Sequence, residues 1–201
     1  MTEERTTEYK ILEAAREVFI KKGMAGARMQ EIADKAGINK ALLHYYYRSK
    51  DQLFTAAFQS ILKTMLPRLF EVFKSELPLE VKIYQVADIY FNFLIVQPEL
   101  PLFVISELQR DPDMLFKDMD VTDFFDITVI QTQLDEEARR GTIRPIGAGQ
   151  FLLNLMSMMI FPFVARPIVQ KVIGLEMDPY FALMEARKTE VPKFIMQALR
   201  P

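Results

Sequence analysis

Apolar residues recur at helical spacing along most of the chain. Between residues 8 and 22, Ile11, Ala15, Val18 and Phe19 fall on one face, and Gly23 follows as a residue suited to end a helix. Strands would instead show a sustained alternation of apolar and polar residues, and no stretch does so for long. The pattern therefore predicts an all-α fold.

Proline and glycine punctuate the helical pattern in the rest of the chain. The segment 79–96 is apolar nearly all round, which is typical of a central helix in a bundle. The segment 150–164 is even more apolar, but it is shorter than the roughly 20 residues that a membrane span needs. We expect it to be a buried or interface helix. The other helices are predicted at 51–66, ended or kinked by Pro67, and at 102–109, 121–140 and 178–199.

The strongest local pattern lies in residues 29–53. Two short helices are separated by Gly37, which can adopt a positive φ, and Asn39 is a natural N-cap for the second of them. Ser49 begins an S-x-x-Q capping box that opens a further apolar helix. A helix, a glycine turn and a helix with an outward polar and aromatic face are typical of the helix-turn-helix of DNA-binding proteins.

An ordinary helical hairpin with core aromatics and solvated charges is the alternative interpretation. Tyr45, Tyr46 and Tyr47 argue against it, because neighbouring residues on a helix point about 100° apart and cannot all face one core. Basic residues also bracket the segment where DNA phosphates would lie. They are Arg28, Lys40, Arg48 and Lys50.

Composition narrows the classes of function. Half of the 201 residues are hydrophobic, so a substantial core can be buried. The chain has no cysteine and one histidine, which excludes a disulfide framework and the common zinc sites. The charged start MTEERTTEYK is unlike a signal peptide, so we expect a cytoplasmic protein.

The distribution of charge and the catalytic motifs missing from the sequence both favour a DNA-binding protein over an enzyme. The net charge is −2, but residues 1–60 carry +2 and residues 61–201 carry −4, which agrees with DNA binding at the N-terminal end. Nucleophile elbow, phosphate-binding loop, dinucleotide fingerprint and metalloprotease motifs are all missing from the sequence. We therefore expect neither an enzyme nor a bound metal or cofactor.

The motifs ILEAAREVFIKKG and EIADKAGINKALLHYYYRSKDQLF resemble the DNA-binding domain of the TetR/AcrR family of bacterial transcriptional regulators. The resemblance covers residues 11–53, about a quarter of the chain. It implies a three-helix DNA-binding domain at 1–50 and a larger helical ligand-binding and dimerisation domain at 51–201. It also implies a homodimer, formed by the last two long helices, on a palindromic operator.

The chain departs from the family pattern at three positions. Arg28 replaces a capping Ser or Thr, Leu42 replaces a Thr, and His44 replaces a Tyr. These departures affect the expected base preference rather than the docking mode. By the resemblance, phosphate contacts fall to Arg28, Lys40, Tyr46 and Lys50, and base contacts to Gln30, Leu42, His44 and Tyr45. A solvated surface glutamine is an equal interpretation of Gln30, and Tyr47 is expected in the core.

The resemblance also implies an effector pocket in the second domain. A lining rich in aromatic residues and methionine would favour a small hydrophobic or aromatic effector. Its candidate residues, each of which is also open to interpretation as plain core packing, are Tyr90, Phe91, Phe103, Phe125, Gln131 and Met156.

The expected function is that of a repressor which its effector releases from DNA. Two other interpretations stay open: a helical small-molecule sensor with a vestigial DNA-binding end, and a membrane-associated helical protein built on residues 150–164.

Overall fold

The fold is all-helical, as the sequence predicts. The computed structural model describes residues 3–111 and 126–201, which form helices and connecting turns without a strand. Within these ranges the helices are α1 Glu3–Gly26, α2 Met29–Ala36, α3 Lys40–Tyr46, α4 Lys50–Lys74, α5 Leu79–Val96, α6 Leu100–Arg110, α7 Ile127–Arg139, α8 Ala148–Val164, α9 Arg166–Ile173 and α10 Met177–Leu199.

The described residues group into two compact units. One comprises residues 3–65 and 103–111, and the other comprises residues 66–102 and 126–201. The assignment of separate functions to 1–50 and 51–201 stays a prediction.

An aromatic cluster forms the centre of the first unit. The Phe19 ring meets the Phe54 ring edge-on at 5.0 Å, and Phe54 lies 4.7 Å from Phe58. Phe103 then stacks on Phe58 at 4.8 Å. The apolar stripe of α1 supplies its share of this core, since Ile11 and Phe19 are fully buried. Gly23, with φ 68° and ψ 169°, kinks the end of α1 in a region that is essentially open to glycine alone.

The second unit is a bundle around α5. This helix packs along α10 and also contacts α8, which confirms the central position predicted from its apolar sequence. Phe91 of α5 lies 6.0 Å from Phe163 of α8, centroid to centroid. Tyr180 of α10 is fully buried, and its hydroxyl donates to the Pro162 carbonyl of α8 at 3.0 Å.

Two helices differ from the sequence prediction. Pro67 does not end the helix predicted at 51–66, which continues to Lys74 as α4, because Leu69, Phe70 and Phe73 beyond the proline are buried. That burial offsets the backbone hydrogen bond that a proline inside a helix removes. The separate helix α9 was not predicted, and none of its residues is buried.

The helix predicted at 121–140 appears as α7, whose first residue is Ile127. Asp126 is its N-cap and accepts a hydrogen bond from the Thr128 amide at 2.9 Å. Residues 121–125 of that prediction lie outside the described residues.

Within the described ranges, no single helix is both long and apolar enough to cross a membrane, although the bent pairs α5 with α6 and α8 with α9 reach that length and composition together.

Candidate DNA-binding surface

The turn between α2 and α3 has the geometry that its glycine predicts. Gly37 has φ 70° and ψ 30°, the left-handed conformation that favours glycine. Its amide donates to the Asp34 carbonyl at 3.2 Å, and the Ile38 amide donates to the Ala33 carbonyl at 3.0 Å. This pair of bonds is the Schellman motif, which ends α2 and directs the chain into α3.

The helix α3 is fixed at its start and along one side. The Asn39 side chain accepts a hydrogen bond from the Leu42 amide at 2.7 Å, as expected of an N-cap. Leu43 is fully buried, and Tyr47 is buried just after the helix ends. The Tyr47 hydroxyl donates to the Glu8 carboxylate at 3.1 Å. Burial, with the Glu8 charge, raises the pKa of Tyr47, so the hydroxyl keeps its proton and its bond to α1.

The opposite side of α3 is left to solvent. Tyr45 is 75% exposed, while Lys40, Leu42 and His44 are also exposed. Tyr46 is half-buried and meets the Tyr45 ring edge-on, with the ring centroids 5.6 Å apart. The three tyrosines therefore divide between core and surface, as the helical spacing predicts. The outward side of α3 carries a cation, an apolar group, an imidazole and a phenol.

Arg28 stands at the N-cap of α2 without capping it. Its backbone is extended, and its side chain makes no capping hydrogen bond, so the loss of the cap expected from the sequence is confirmed. The guanidinium is exposed at the N-terminus of α2, where the positive end of the helix dipole also favours an anion.

Lys50 has a structural role that the sequence did not indicate. Its ammonium donates to the Ala27 carbonyl at 3.2 Å and lies 3.5 Å from the Ala25 carbonyl. It therefore ties the start of α4 to the segment that leads into α2. An ammonium has three donors, so these bonds leave it able to reach a phosphate as well.

Gln30 is paired with an acid that sequence reasoning overlooked. Its side-chain amide nitrogen donates to the Asp34 carboxylate at 2.7 Å, one helical turn further along α2. The i, i+4 spacing of these two residues was the available signal. The amide oxygen and the second amide hydrogen of Gln30 remain for a base edge.

The candidate effector residues occupy different environments. Tyr90 and Phe91 are buried in α5, and Met156 is half-buried in α8. Gln131 is bonded at both ends of its amide, to the Asp135 carboxylate at 2.9 Å and the Ala148 amide at 2.7 Å. Phe125 lies outside the described residues.

Phe103 belongs to the aromatic cluster of the first unit. Besides stacking on Phe58, its ring lies 5.7 Å from that of Phe54. This packing accounts for a side chain that the sequence analysis assigned to the effector pocket. Three cavities of the second unit are lined by described residues, and none of the five described candidates lines them.

Comparison with known proteins identifies the family that the helix-turn-helix domain resembles. Residues 11–57 match the model of the bacterial regulatory proteins of the tetR family. Residues 11–57 are therefore similar to the DNA-binding domain of the tetR family. The resemblance seen in the sequence is confirmed, and this chain is a DNA-binding transcriptional regulator with a helix-turn-helix domain.

Relatives of this regulator match over very different lengths. The probable HTH-type transcriptional regulator YttP of Bacillus subtilis strain 168 is 24% identical over 187 residues, which is 89% of this chain and 88% of that protein. The HTH-type transcriptional activator FasR of Mycolicibacterium smegmatis is 29% identical over 84 residues, which is 42% of this chain and 38% of that protein.

A solved structure extends the likeness of fold to both units. The transcriptional regulator FadR from Bacillus subtilis, in complex with stearoyl-CoA, superposes with a TM-score of 0.70 at 15% identity. The match covers 96% of this chain and 99% of the FadR chain. Each unit of the chain therefore has its counterpart in a known regulator.

Proposed function

We propose that this protein is a homodimeric repressor that binds a palindromic operator through α3 and is released by a small, mostly hydrophobic effector. The observation that carries the proposal is the division of α3 between core and solvent. Leu43 alone is buried, and Lys40, Leu42, His44 and Tyr45 are held outward on a helix that is capped and anchored.

The proposed contacts follow from the chemistry of these side chains. Arg28, Lys40, Tyr46 and Lys50 supply donors for phosphate oxygens, which set the position of the protein on the duplex. Base preference would come from the neighbouring groups. Gln30 suits an adenine edge, Leu42 suits a thymine methyl group, and the His44 and Tyr45 rings supply further hydrogen-bonding and apolar contacts.

An apolar surface on the second unit supports a homodimer. Leu153 and Phe161 of α8 are 67% and 59% exposed, and Phe194 of α10 is 58% exposed. Large contiguous apolar surfaces on a protein usually mark an interaction site. A two-fold dimer would bring two copies of α3 to successive major grooves, about 34–36 Å apart or at a multiple of that distance.

The effector site is proposed around Tyr90 of α5, where a ligand would have to displace packed side chains, because Tyr90 lines none of the three cavities described above. This residue is buried, and burial raises the pKa of Tyr90 to about 12. The next residue of α5, Phe91, is fully buried and packs against Phe163. A mostly hydrophobic effector is proposed for this site, and the stearoyl-CoA bound by the structurally similar FadR also has a large apolar part.

Release from DNA would follow from a shift between two conformations of the dimer. An effector that binds better to a conformer whose α3 spacing does not fit the operator draws the population toward that conformer. The effector must therefore bind the DNA-free form more tightly than the DNA-bound form, and the ratio of the two affinities limits the response.

Fluorescence anisotropy of the purified protein on the duplex upstream of its own gene, titrated with salt, tests the proposal. Saturable binding that is tighter than to a random duplex, with two protomers per site, is the expected result. Equal weak binding to both duplexes would favour the sensor with a vestigial DNA-binding end. A reporter gene under that upstream region would distinguish repression from the activation that the FasR relative carries out.

A further inference from the structure

We propose that α10 carries a self-complementary seam in which Arg187 of one copy pairs with Glu190 of a second copy. Leu183 and Phe194 complete the seam, one on each side of the charged pair. The inference rests on the proposed homodimer, and it names the contact that sets the register between the two copies.

The four residues share one side of α10. Their spacing of four, three and four residues places them within about 60° around the helix axis, at 100° per residue. Phe194 and Glu190 are exposed, while Leu183 and Arg187 are half-buried. The stripe is therefore available at the surface of the second unit and continues the exposed apolar side of α8.

The order of the residues suits a two-fold axis. A spacing of four, three and four is the same in both directions, so two antiparallel copies of α10 can be centred between residues 188 and 189. Leu183 of each copy then faces Phe194 of the other, and Arg187 faces Glu190. A two-fold interface requires this reciprocity, in which residue i meets j and j meets i.

Arg187 lacks an anionic partner within the described residues. Its guanidinium donates to the Met158 carbonyl at 2.7 Å, while its Nε is buried and without a hydrogen bond in the described part of the chain. The residue lines a groove of about 470 Å³ whose other walls include Met158, Phe161 and Leu183. A cation held in an apolar groove without a counter-ion is costly, and a carboxylate from outside the protomer would remove that cost.

Glu190 is able to supply that carboxylate. Its contact within its own chain is an exposed ion pair with Lys193 at 3.0 Å, three residues along α10. Exposed pairs of this kind contribute little to stability, so sharing Glu190 with a second partner costs little. Both halves of the charged pair lie on the same stripe, which is why a second copy of this chain fits better than an unrelated partner. Buried polar pairs in helical interfaces are best known for fixing register.

Mixing two charge-reversed variants tests the pairing. Arg187→Glu gives homodimers with two facing Glu pairs, and Glu190→Arg gives homodimers with two facing Arg pairs. Each variant alone should dimerise about 100-fold or more weakly than the wild type, because like charges face each other twice. In the mixed dimer both contacts join opposite charges, so an equimolar mixture should form heterodimers. Native mass spectrometry with a mass tag on one variant reads this directly.

The controls separate the pairing from folding and from the proposed function. Arg139→Glu reverses an exposed charge at the end of α7 and should leave the dimer constant unchanged. Circular dichroism checks that each variant is folded. The Glu190→Arg protein should fold in any case, because Glu190 is exposed.

Three results would overturn the pairing: variants that dimerise as the wild type does, a mixture that stays monomeric, or a monomeric wild type. A monomeric wild type would also contradict the proposed homodimer. A dimeric wild type that binds no duplex would contradict the proposed regulator function but not the seam.

Discussion

Arg28 and Lys50 allow phosphate contact to be separated from structural support. Each residue is proposed to contact one phosphate per protomer, so a dimer loses two contacts when either is replaced by alanine. Each contact contributes about 0.9 to the slope of log K against log salt, so each variant should flatten the slope by about 1.8. Between about 50 and 200 mM salt, the variant should lose roughly tenfold less affinity than the wild type does.

The two variants should differ in stability. The Lys50 ammonium bonds to the Ala27 carbonyl and lies near that of Ala25, and removing a charged donor of this kind costs about 1–3 kcal/mol. Arg28 is exposed and makes no capping bond, so Arg28→Ala should change the free energy of unfolding by less than about 0.5 kcal/mol.

Anisotropy at a series of salt concentrations gives the slopes, and urea denaturation gives the free energies of unfolding. Lys171→Ala, an exposed cation of α9, is the control and should leave both quantities unchanged. If neither Arg28→Ala nor Lys50→Ala alters the slope, the phosphate assignments are wrong. If Lys50→Ala is as stable as the wild type, the hydrogen bonds from the Lys50 ammonium to the segment that leads into α2 do not stabilise the fold.

Four further outcomes concern the fold. Gly37→Ala should lower the free energy of unfolding by about 1 kcal/mol, because its new Cβ meets no atom within 4 Å and only backbone strain remains. Gly149→Ala, in α8, should raise the free energy of unfolding by about 0.5 kcal/mol in the same urea assay, because alanine favours a helix more than glycine does. Phe58→Ala removes the partner of Phe103 and should cost about 3–5 kcal/mol, measured by thermal denaturation. Burial lowers the pKa of Lys82 from 10.5, so at alkaline pH the unfolded chain binds more protons than the folded chain. The free energy of unfolding of the wild type, relative to that of Lys82→Met, should therefore rise as the pH increases from the lowered pKa toward 10.5. A difference that does not change with pH would refute this.

The helix-turn-helix was predictable because its determinants are local. Gly37, Asn39 and Ser49 act on amides within a few residues of themselves, so their types and spacing suffice to place α2, α3 and the start of α4. The inward position of Leu43 follows from helical periodicity alone. The division of the surface between Tyr45 and Tyr47 follows from it as well.

The features that the sequence did not predict depend on distant contacts. Lys50 bonds to carbonyls 23 and 25 residues away, and α4 continues past Pro67 because Phe70 and Phe73 find a core. Phe103 and Phe91 are both phenylalanines in apolar stretches of the sequence, but Phe103 stacks on Phe58 in the first unit and Phe91 packs on Phe163 in the bundle. An apolar pattern identifies side chains that leave water and does not say which cavity or core receives them.

The way α3 is built has an evolutionary consequence. The residues that make it fold, Asn39 and Leu43, are different from those that it presents outward, such as Leu42, His44 and Tyr45. Mutations at the outward positions can therefore change which operators are recognised with little loss of stability, since exposed substitutions usually alter it by less than about 0.5 kcal/mol. A lineage that carries this scaffold can acquire new target genes by point mutation, while the folded framework stays the same.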